Sequence, residues 1–187
     1  MSPDPDPDPD LDTGIRPVAC TLERHGAAIL DIFNDAIVSS TALYDYQPRP
    51  PQAMAAWFDA KRQGDFPVIG LEAADGTLLA FGSYGTFRAW PAYKYSVEHS
   101  VYVHRDHRGH GLGRRVMQAL IAHARAQGRH ALIGAIDSAN AGSIALHESL
   151  GFERVGLFPQ IGFKFGRWLD VAFYQRLLDT PEQPVDG

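Results

Sequence analysis

A mixed β-sheet flanked by helices, α+β in class and α/β-like in its second half, is the fold class this sequence predicts. Three observations predict it. Two helical apolar periods come first, a meander of strands with an Asp-Gly hairpin turn follows, and two strand–helix alternations lead to a pair of closing strands.

In chain order, Ile15 to Cys20 reads as a short strand. Leu22 to Val38 carries apolar residues at Leu22, Ile29, Ile32, Phe33, Ala36 and Ile37, a helical spacing. Ser39 to Pro51 is polar and proline-rich, holds Tyr44 and Tyr46, and reads as a loop; loops beside a site often shape it. Gln52 to Arg62 forms a second helix started after Pro50-Pro51. Phe66 to Glu72 and Leu78 to Phe87 flank Asp75-Gly76, the turn of a hairpin. Val97 to His104 is a further strand. Leu112, Val116, Leu120 and Ala124 recur every four residues, with Met117 and Ile121 beside them, which marks the buried face of a helix ended by Gly128. Leu132 to Ile136 is a short buried strand. Ser138 or Asn140 caps the next helix, which runs to Leu150 and stops at Gly151. Glu153 to Leu157 and Asp170 to Arg176 read as the closing strands.

A chain of 187 residues, 45% hydrophobic and 21% charged, is long enough for one domain with a sizeable core, placed here at 14–180. Residues 1–13 alternate proline with aspartate and read as a disordered acidic tail; 181–187 read as a flexible C-terminus. Net charge is −5, much of it in that tail, which disfavours wholesale nucleic-acid binding. Cys20 is the single cysteine, so no internal disulfide can form. With neither a membrane-length apolar run nor a signal peptide, a cytoplasmic location is expected and a membrane partner is not.

The most informative stretch is Arg108-Gly109-His110-Gly111-Leu112-Gly113, between the strand Ser100-Val101-Tyr102-Val103 and a helix. Glycines let backbone N–H groups turn toward an anion, and a helix N-terminus adds unpaired donors and partial positive charge. Arg108, Arg114 and Arg115 add full charges. The loop lacks the Lys-Ser ending of a P-loop and the spacing of the dinucleotide fingerprint. Alone it fits a plain strand-to-helix turn as well as a grip on a pyrophosphate-bearing cofactor. His104, His107 and His110 have a spacing that invites zinc, but the arginines among them repel a cation, and no metal is expected. The basic run is short, contains Asp106 and lacks interleaved aromatics, so no nucleic-acid partner is expected either.

Three features then line up: Glu98 two positions before Ser100-Val101-Tyr102-Val103, the glycine loop after it, and Asn140 followed by His147-Glu148-Ser149-Leu150-Gly151-Phe152. Together they resemble the GNAT superfamily of acyl-CoA-dependent N-acetyltransferases, over Ile15 to Leu178. Within it the chain resembles the branch that acetylates phosphinothricin and methionine sulfoximine or sulfone. The segments that carry this are Phe87 to Trp90, Val97 to Val103, the glycine loop, Ser143 to His147 and Lys164 to Asp170. The resemblance implies a twisted mixed sheet that splays at its centre and takes acetyl-CoA in the splay. The cofactor would pair with backbone around Val101, Tyr102 and Val103. Its pyrophosphate would lie on Arg108, Gly109, His110, Gly111, Leu112 and Gly113, with Asn140 and Ser143 across the cleft. A homodimer is likewise implied.

Acetyl transfer needs a neutral amine, so a base must remove a proton from an amino acid's ammonium group. Glu98 is the candidate, directly or through one water. His147 stands where many members of the superfamily carry a tyrosine for the leaving thiolate and where the resembled phosphinothricin branch carries a histidine; a neutral histidine can act as acid or as base. A histidine capping carbonyls near Gly151 is the plain alternative. Arg88 matches a substrate-binding arginine and suits a carboxylate through paired hydrogen bonds. The herbicide-inactivating members carry a second arginine where this chain has Trp90; an aromatic there leaves room for apolar or thioether side chains. Tyr44 falls at an aromatic pocket position, Asp137 where backbone meets substrate, and Tyr46 is a weaker candidate. Cys20 is far from the loop, and no acyl-enzyme is expected. Acetylation of another small amine or a peptide N-terminus, and an acyl-CoA sensor without turnover, remain the alternatives.

Overall fold

The computed structural model describes residues 14–186; the Pro-Asp segment 1–13 lies outside the described residues. A sheet of seven strands forms the frame: β1 (Arg16–Ala19), β2 (Val68–Glu72), β3 (Leu78–Thr86), β4 (Ser96–Val103), β5 (Ala131–Asp137), β6 (Glu153–Lys164) and β7 (Arg167–Leu177). Four α-helices accompany it: α1 (Leu22–Ser39), α2 (Ala53–Gln63), α3 (Leu112–Ala126) and α4 (Ala141–Ser149). Strand order is β1-β2-β3-β4-β5-β7-β6. All neighbours run antiparallel except β4 and β5, which are parallel. Their connection passes through α3, as a parallel crossover requires.

Each face of the sheet has its own core. α3 turns Val116, Met117, Leu120 and Ala124, all fully buried, onto Leu71, Tyr84, Val97 and Leu132. This is the face the four-residue recurrence predicts. On the other face, α1 and α2 pack Ile29, Phe33, Met54 and Phe58 on Phe81 and Tyr102. The Phe33 ring meets Trp57, Phe81 and Tyr102 edge-on at centroid distances of 5.4, 5.1 and 5.1 Å, a favoured aromatic geometry. The N-terminus of α1 is fixed by Thr21, whose hydroxyl accepts from Arg24 N, and by a buried carboxylate: Glu72 accepts from Arg16, Arg24 and His25.

Two sequence readings change. The closing strands are far longer than Glu153–Leu157 and Asp170–Arg176, because β6 absorbs Pro159 and Gly162 in a bulge between Phe158 and Gly162. There Gln160 takes φ +53° and its amide donates to Asp170. Phe165 and Gly166, at φ +52° and +72°, then turn the chain back as a two-residue hairpin loop. Arg88, one residue past the expected strand Leu78 to Phe87, sits in the irregular segment after β3. The C-terminal segment beyond Thr180 is irregular, and Val185 is held by the Tyr95 hydroxyl.

Candidate active site

The parallel strands part soon after they meet. β4 and β5 pair only over Ser96–Glu98 against Ala131–Ile133. Beyond Glu98 and Ile133 they diverge, and a cleft of about 520 Å³ opens between them, in the range of small-molecule sites. Its walls are β4 from His99 to Val103, β5 from Gly134 to Asp137, the Ser40–Ala42 loop with Ile32 and Ala36 of α1, and α4 with the residues before it. Val101, Tyr102 and Val103 pair with β3 on one side, and no strand of the described residues pairs with their other edge. That edge offers backbone donors and acceptors to an extended ligand.

At one end of the cleft lies the glycine loop. Gly109 and Gly111 hold φ of +82° and +74°, values that only glycine adopts without strain. Gly111 is the N-cap of α3 and has no capping side chain; the first helical bond runs from Arg115 N to Gly111 O. The amides of Leu112, Gly113 and Arg114 are therefore the open donors of a helix N-terminus. Leu112 contributes only that amide, because its side chain is in the core. Gly113 and Arg108 line the cleft. Arg108 is half-exposed and donates to Asp35 at 2.7 Å. His110 Nδ1 lies 3.3 Å from His107 O, and Arg115 donates one guanidinium hydrogen bond to Ile15 O at 2.9 Å. Across the cleft Asn140 caps α4: its side-chain oxygen accepts from Ser143 N at 3.0 Å.

At the other end the groups for chemistry approach from opposite faces. Alternation along β4 puts Glu98 with Tyr102 on the α1–α2 face and His99 with Val97 on the α3 face. Burial pushes the Glu98 carboxyl above the usual range, against the pull of the nearby Arg88 charge. Arg88 is exposed, with its guanidinium over the Phe87 ring at 4.6 Å. Trp90 is exposed beside it and Tyr44 is half-exposed; neither these three nor Glu98 is among the cleft-lining residues. Asp137 lines the cleft, but its carboxylate accepts from Thr41, Arg167 and the Ala139 amide. Burial alone would raise it; those bonds outweigh burial and hold it below the ordinary range. Its side chain thus fastens the loop that walls the cleft. Lys164 does the same from β6, donating to Ser40 O and Leu43 O.

His147 is buried in the cleft wall and does not cap carbonyls near Gly151. Its Nδ1 meets Ser143 O at 2.7 Å and its Nε2 meets Nε2 of His99 at 2.9 Å. Sequence reasoning passed over His99, Gly134 and Lys164. The signals were present: a histidine on the apolar face of a strand, and a glycine inside one, which marks close approach by other atoms.

The free strand edge, the side-chain-free loop and the open helix end suit a long phosphorylated ligand such as acetyl-CoA. Comparison with known proteins agrees. Residues 28–152 match the model of the Acetyltransferase (GNAT) family. An L-methionine sulfoximine/L-methionine sulfone acetyltransferase of Pseudomonas paraeruginosa is 48% identical over 151 residues, 81% of this chain and 88% of that protein. A phosphinothricin N-acetyltransferase of Streptomyces viridochromogenes is 34% identical over 84% of this chain and 85% of its own length. Among solved structures, a GNAT superfamily phosphinothricin acetyltransferase from Sinorhizobium meliloti in complex with AcCoA superposes with a TM-score of 0.86 at 30% identity, covering 91% of this chain and 92% of that one. The family match spans two thirds of the chain and the relatives span nearly all of the fold: this chain belongs to the GNAT family of acetyltransferases.

Proposed function

We propose that the protein transfers the acetyl group of acetyl-CoA to the α-amine of a small amino acid or toxic amino-acid analogue, of the methionine sulfoximine, methionine sulfone or phosphinothricin type, directly within a ternary complex. The observation that carries this is the fork between β4 and β5, with an anion-binding helix end at one side and a carboxylate with a raised pKa beside an arginine at the other.

The thioester supplies an activated acetyl group. Glu98 and Arg88 together match a zwitterion: the guanidinium takes the α-carboxylate, the carboxylate faces the ammonium and removes its proton. The raised basicity of Glu98 fits that duty, since a carboxylate at its ordinary pKa is a poor base for an amine. Trp90 and Tyr44 flank the side chain, and an aromatic at 90 in place of a second cation favours thioether-derived side chains over a phosphinate. Asp137 shapes this wall through Thr41 rather than by touching substrate with its carboxylate.

A homodimer in a cytoplasmic setting completes the proposal. Its support is the β6–β7 ribbon, where Phe158, Ile161, Phe163 and Trp168 are each about half-exposed or more, an apolar patch of the kind that marks an interface. No helix of the described residues is long and apolar enough to cross a membrane.

The test is thiol release from acetyl-CoA with L-methionine sulfone, L-methionine sulfoximine, phosphinothricin, ordinary L-amino acids and simple amines. Release confined to amino-acid-like compounds is expected. Arg88→Ala should raise KM for those compounds about 10–100-fold, the range of a lost charge-assisted contact, with little change for simple amines. Equal loss on both substrate classes would overturn the carboxylate clamp, and no release with any amine would overturn the transferase.

A further inference from the structure

Two buried histidines face each other where β4 and β5 part, and the sequence gives a candidate role to only one of them, His147. His99 follows the last residue of β4 that pairs with β5. Its ring meets that of His147 edge to edge, with centroids 5.1 Å apart and planes 27° from parallel, and the two are 6% and 7% exposed. Gly134 is the floor beneath them. A Cβ there would stand 2.9 Å from His147 Nε2 and 3.1 Å from His99 Cε1, so glycine is what leaves room for the pair. Phe152 closes a further side, its ring 5.1 Å from His99 and 5.2 Å from His147.

Counting hydrogens fixes the tautomers. Ser143 O can only accept, so Nδ1 of His147 carries a hydrogen and Nε2 of the neutral ring is a lone pair. Two lone pairs at 2.9 Å would repel, so the hydrogen between the rings belongs to Nε2 of His99. Nδ1 of His99 is then a lone pair; it is buried without a hydrogen-bond partner, and the Ile133 backbone draws the His99 pKa upward, a smaller effect than burial. The surrounding ionisable groups look elsewhere. The Tyr174 hydroxyl of β7 turns to Glu148 of α4. Tyr84 of β3, opposite His99, turns to His123 and Gln127 of α3. Glu98 is on the other face of β4. With no counter-charge bonded to either ring, burial pushes His99 down to about 3 and lowers His147 as well, so the pair is neutral at physiological pH.

We propose that His99 is a positioning residue for acetyl transfer: its Nε2–H holds His147 as the neutral Nδ1–H tautomer, so that His147 enters the reaction as a proton acceptor. The proposal rests on the acetyltransferase reading and decides between the acid and base roles open to His147. A substrate ammonium sheds two protons on its way to an amide. Glu98 takes one. As the N–C bond forms, Nε2 of His147 exchanges the His99 contact for the second. The C–S bond breaks with its electron pair going to sulfur, and the proton on His147 passes to that thiolate. A His147 already protonated on Nε2 could not take the amine's proton.

The experiment is ¹⁵N NMR of the histidine-labelled full chain. Expected are an Nδ1–H ring at His147, an Nε2–H ring at His99 and an N–N coupling across their hydrogen bond, unchanged from pH 8 to about 5, below the ordinary histidine range. His99→Leu removes the donor that favours the neutral form, so His147 should protonate at a higher pH than in wild type, with burial still holding it below the ordinary range. Between pH 8 and pH 6 its kcat should then fall by up to about fourfold more than wild type, the loss of neutral form for a group that titrates no higher than about 6.5, with KM for acetyl-CoA within about twofold. His99→Gln, which keeps an N–H donor, should rescue the wild-type profile. An Nε2–H tautomer at His147, absence of the coupling, protonation of wild-type His147 near 6.5, or a His99→Leu profile that overlays wild type would each overturn the proposal. The spectra need no substrate, so a failed tautomer assignment leaves the transferase reading standing, and a failed thiol-release screen leaves the spectra to be judged by themselves.

Discussion

From β2 to β4 the sheet is packed on both faces, by α1 and α2 on one side and α3 on the other. From β5 outward the cover thins. β7 still packs Leu169, Val171 and Tyr174 inward, but β6 leaves Val155, Phe158 and Ile161 more than half exposed. The strand ladders of the two halves join through only three residue pairs of β4 and β5. The difference teaches where a site can form. Two units that each satisfy their own backbone can afford to separate, and the residues just past the last pair, His99 and Gly134, stand at the fork with polar groups that neither core needs. Glu98, in that last pair, is on the opposite face.

Replacing the base should break the fork's chemistry with the largest effect. Glu98→Gln is isosteric and should leave the fold intact while lowering kcat about 10²–10³-fold, the usual worth of a positioned base. The wild-type rate should fall with acidity through a pH above the ordinary carboxylate range, because burial raises Glu98 and favours its protonated form. The variant should lack that limb. A pH–rate profile of both proteins checks it; a wild-type profile without the limb would remove Glu98 from the role.

Next in size is a test of the closed half. Leu120 of α3 is fully buried, so Leu120→Ala should cost about 2–5 kcal/mol through lost transfer energy and the cavity left behind. Thermal unfolding should shift by roughly 5–15 °C for a chain of this size. A shift under about 2 °C would mean that this core repacks freely, against the dense side-chain contact expected of an interior.

Gly134→Ala probes the fork itself. The added Cβ comes closer to His147 than a side chain tolerates and presses tightly on His99, so either the rings or β5 must move. A cost of about 1–3 kcal/mol is expected from overpacking, with loss of the His99–His147 coupling in the same ¹⁵N spectra. A variant of wild-type stability with that coupling intact would show that the glycine is not the floor of the pair.

Much of the fold was legible because its signals are local. The four-residue recurrence in α3, the Asp75-Gly76 turn and the Gly111 N-terminus each follow from a few neighbouring residues. β6 was read at less than half its length, since it shows no apolar-in, polar-out alternation and is interrupted by Pro159 and Gly162. The site divided in the same way. Glu98, Asn140 and the glycine loop stand out by sequence pattern. His99 does not, because its meaning depends on His147, a partner 48 residues away that only folding brings to 2.9 Å. The part the Asp137 side chain plays was not legible either, because its bonds to Thr41 and Arg167 cross the fold and leave no trace in spacing.

The smallest effect on the isolated fold is expected on the open ribbon, and that smallness is what makes it informative. Ile161 is 62% exposed, so Ile161→Ser removes little buried area and should change stability at high dilution by no more than about 0.5 kcal/mol, as surface substitutions do. If two copies meet on this ribbon, the same side chain is buried in the assembly, and its loss there should weaken association by about 1.5–3 kcal/mol, or roughly 10–100-fold in Kd. Sedimentation across a concentration series separates the two quantities. A concentration-dependent dimer that weakens in Ile161→Ser would place the interface on β6 and extend the covered half of the molecule to its partner. Lys164 and Arg167, which flank the turn of this ribbon and fasten the Ser40–Leu43 loop and Asp137, would then tie assembly to the wall of the cleft. A wild-type chain that sediments as a monomer at every concentration would instead leave the ribbon as bare surface and remove the dimer from the proposal.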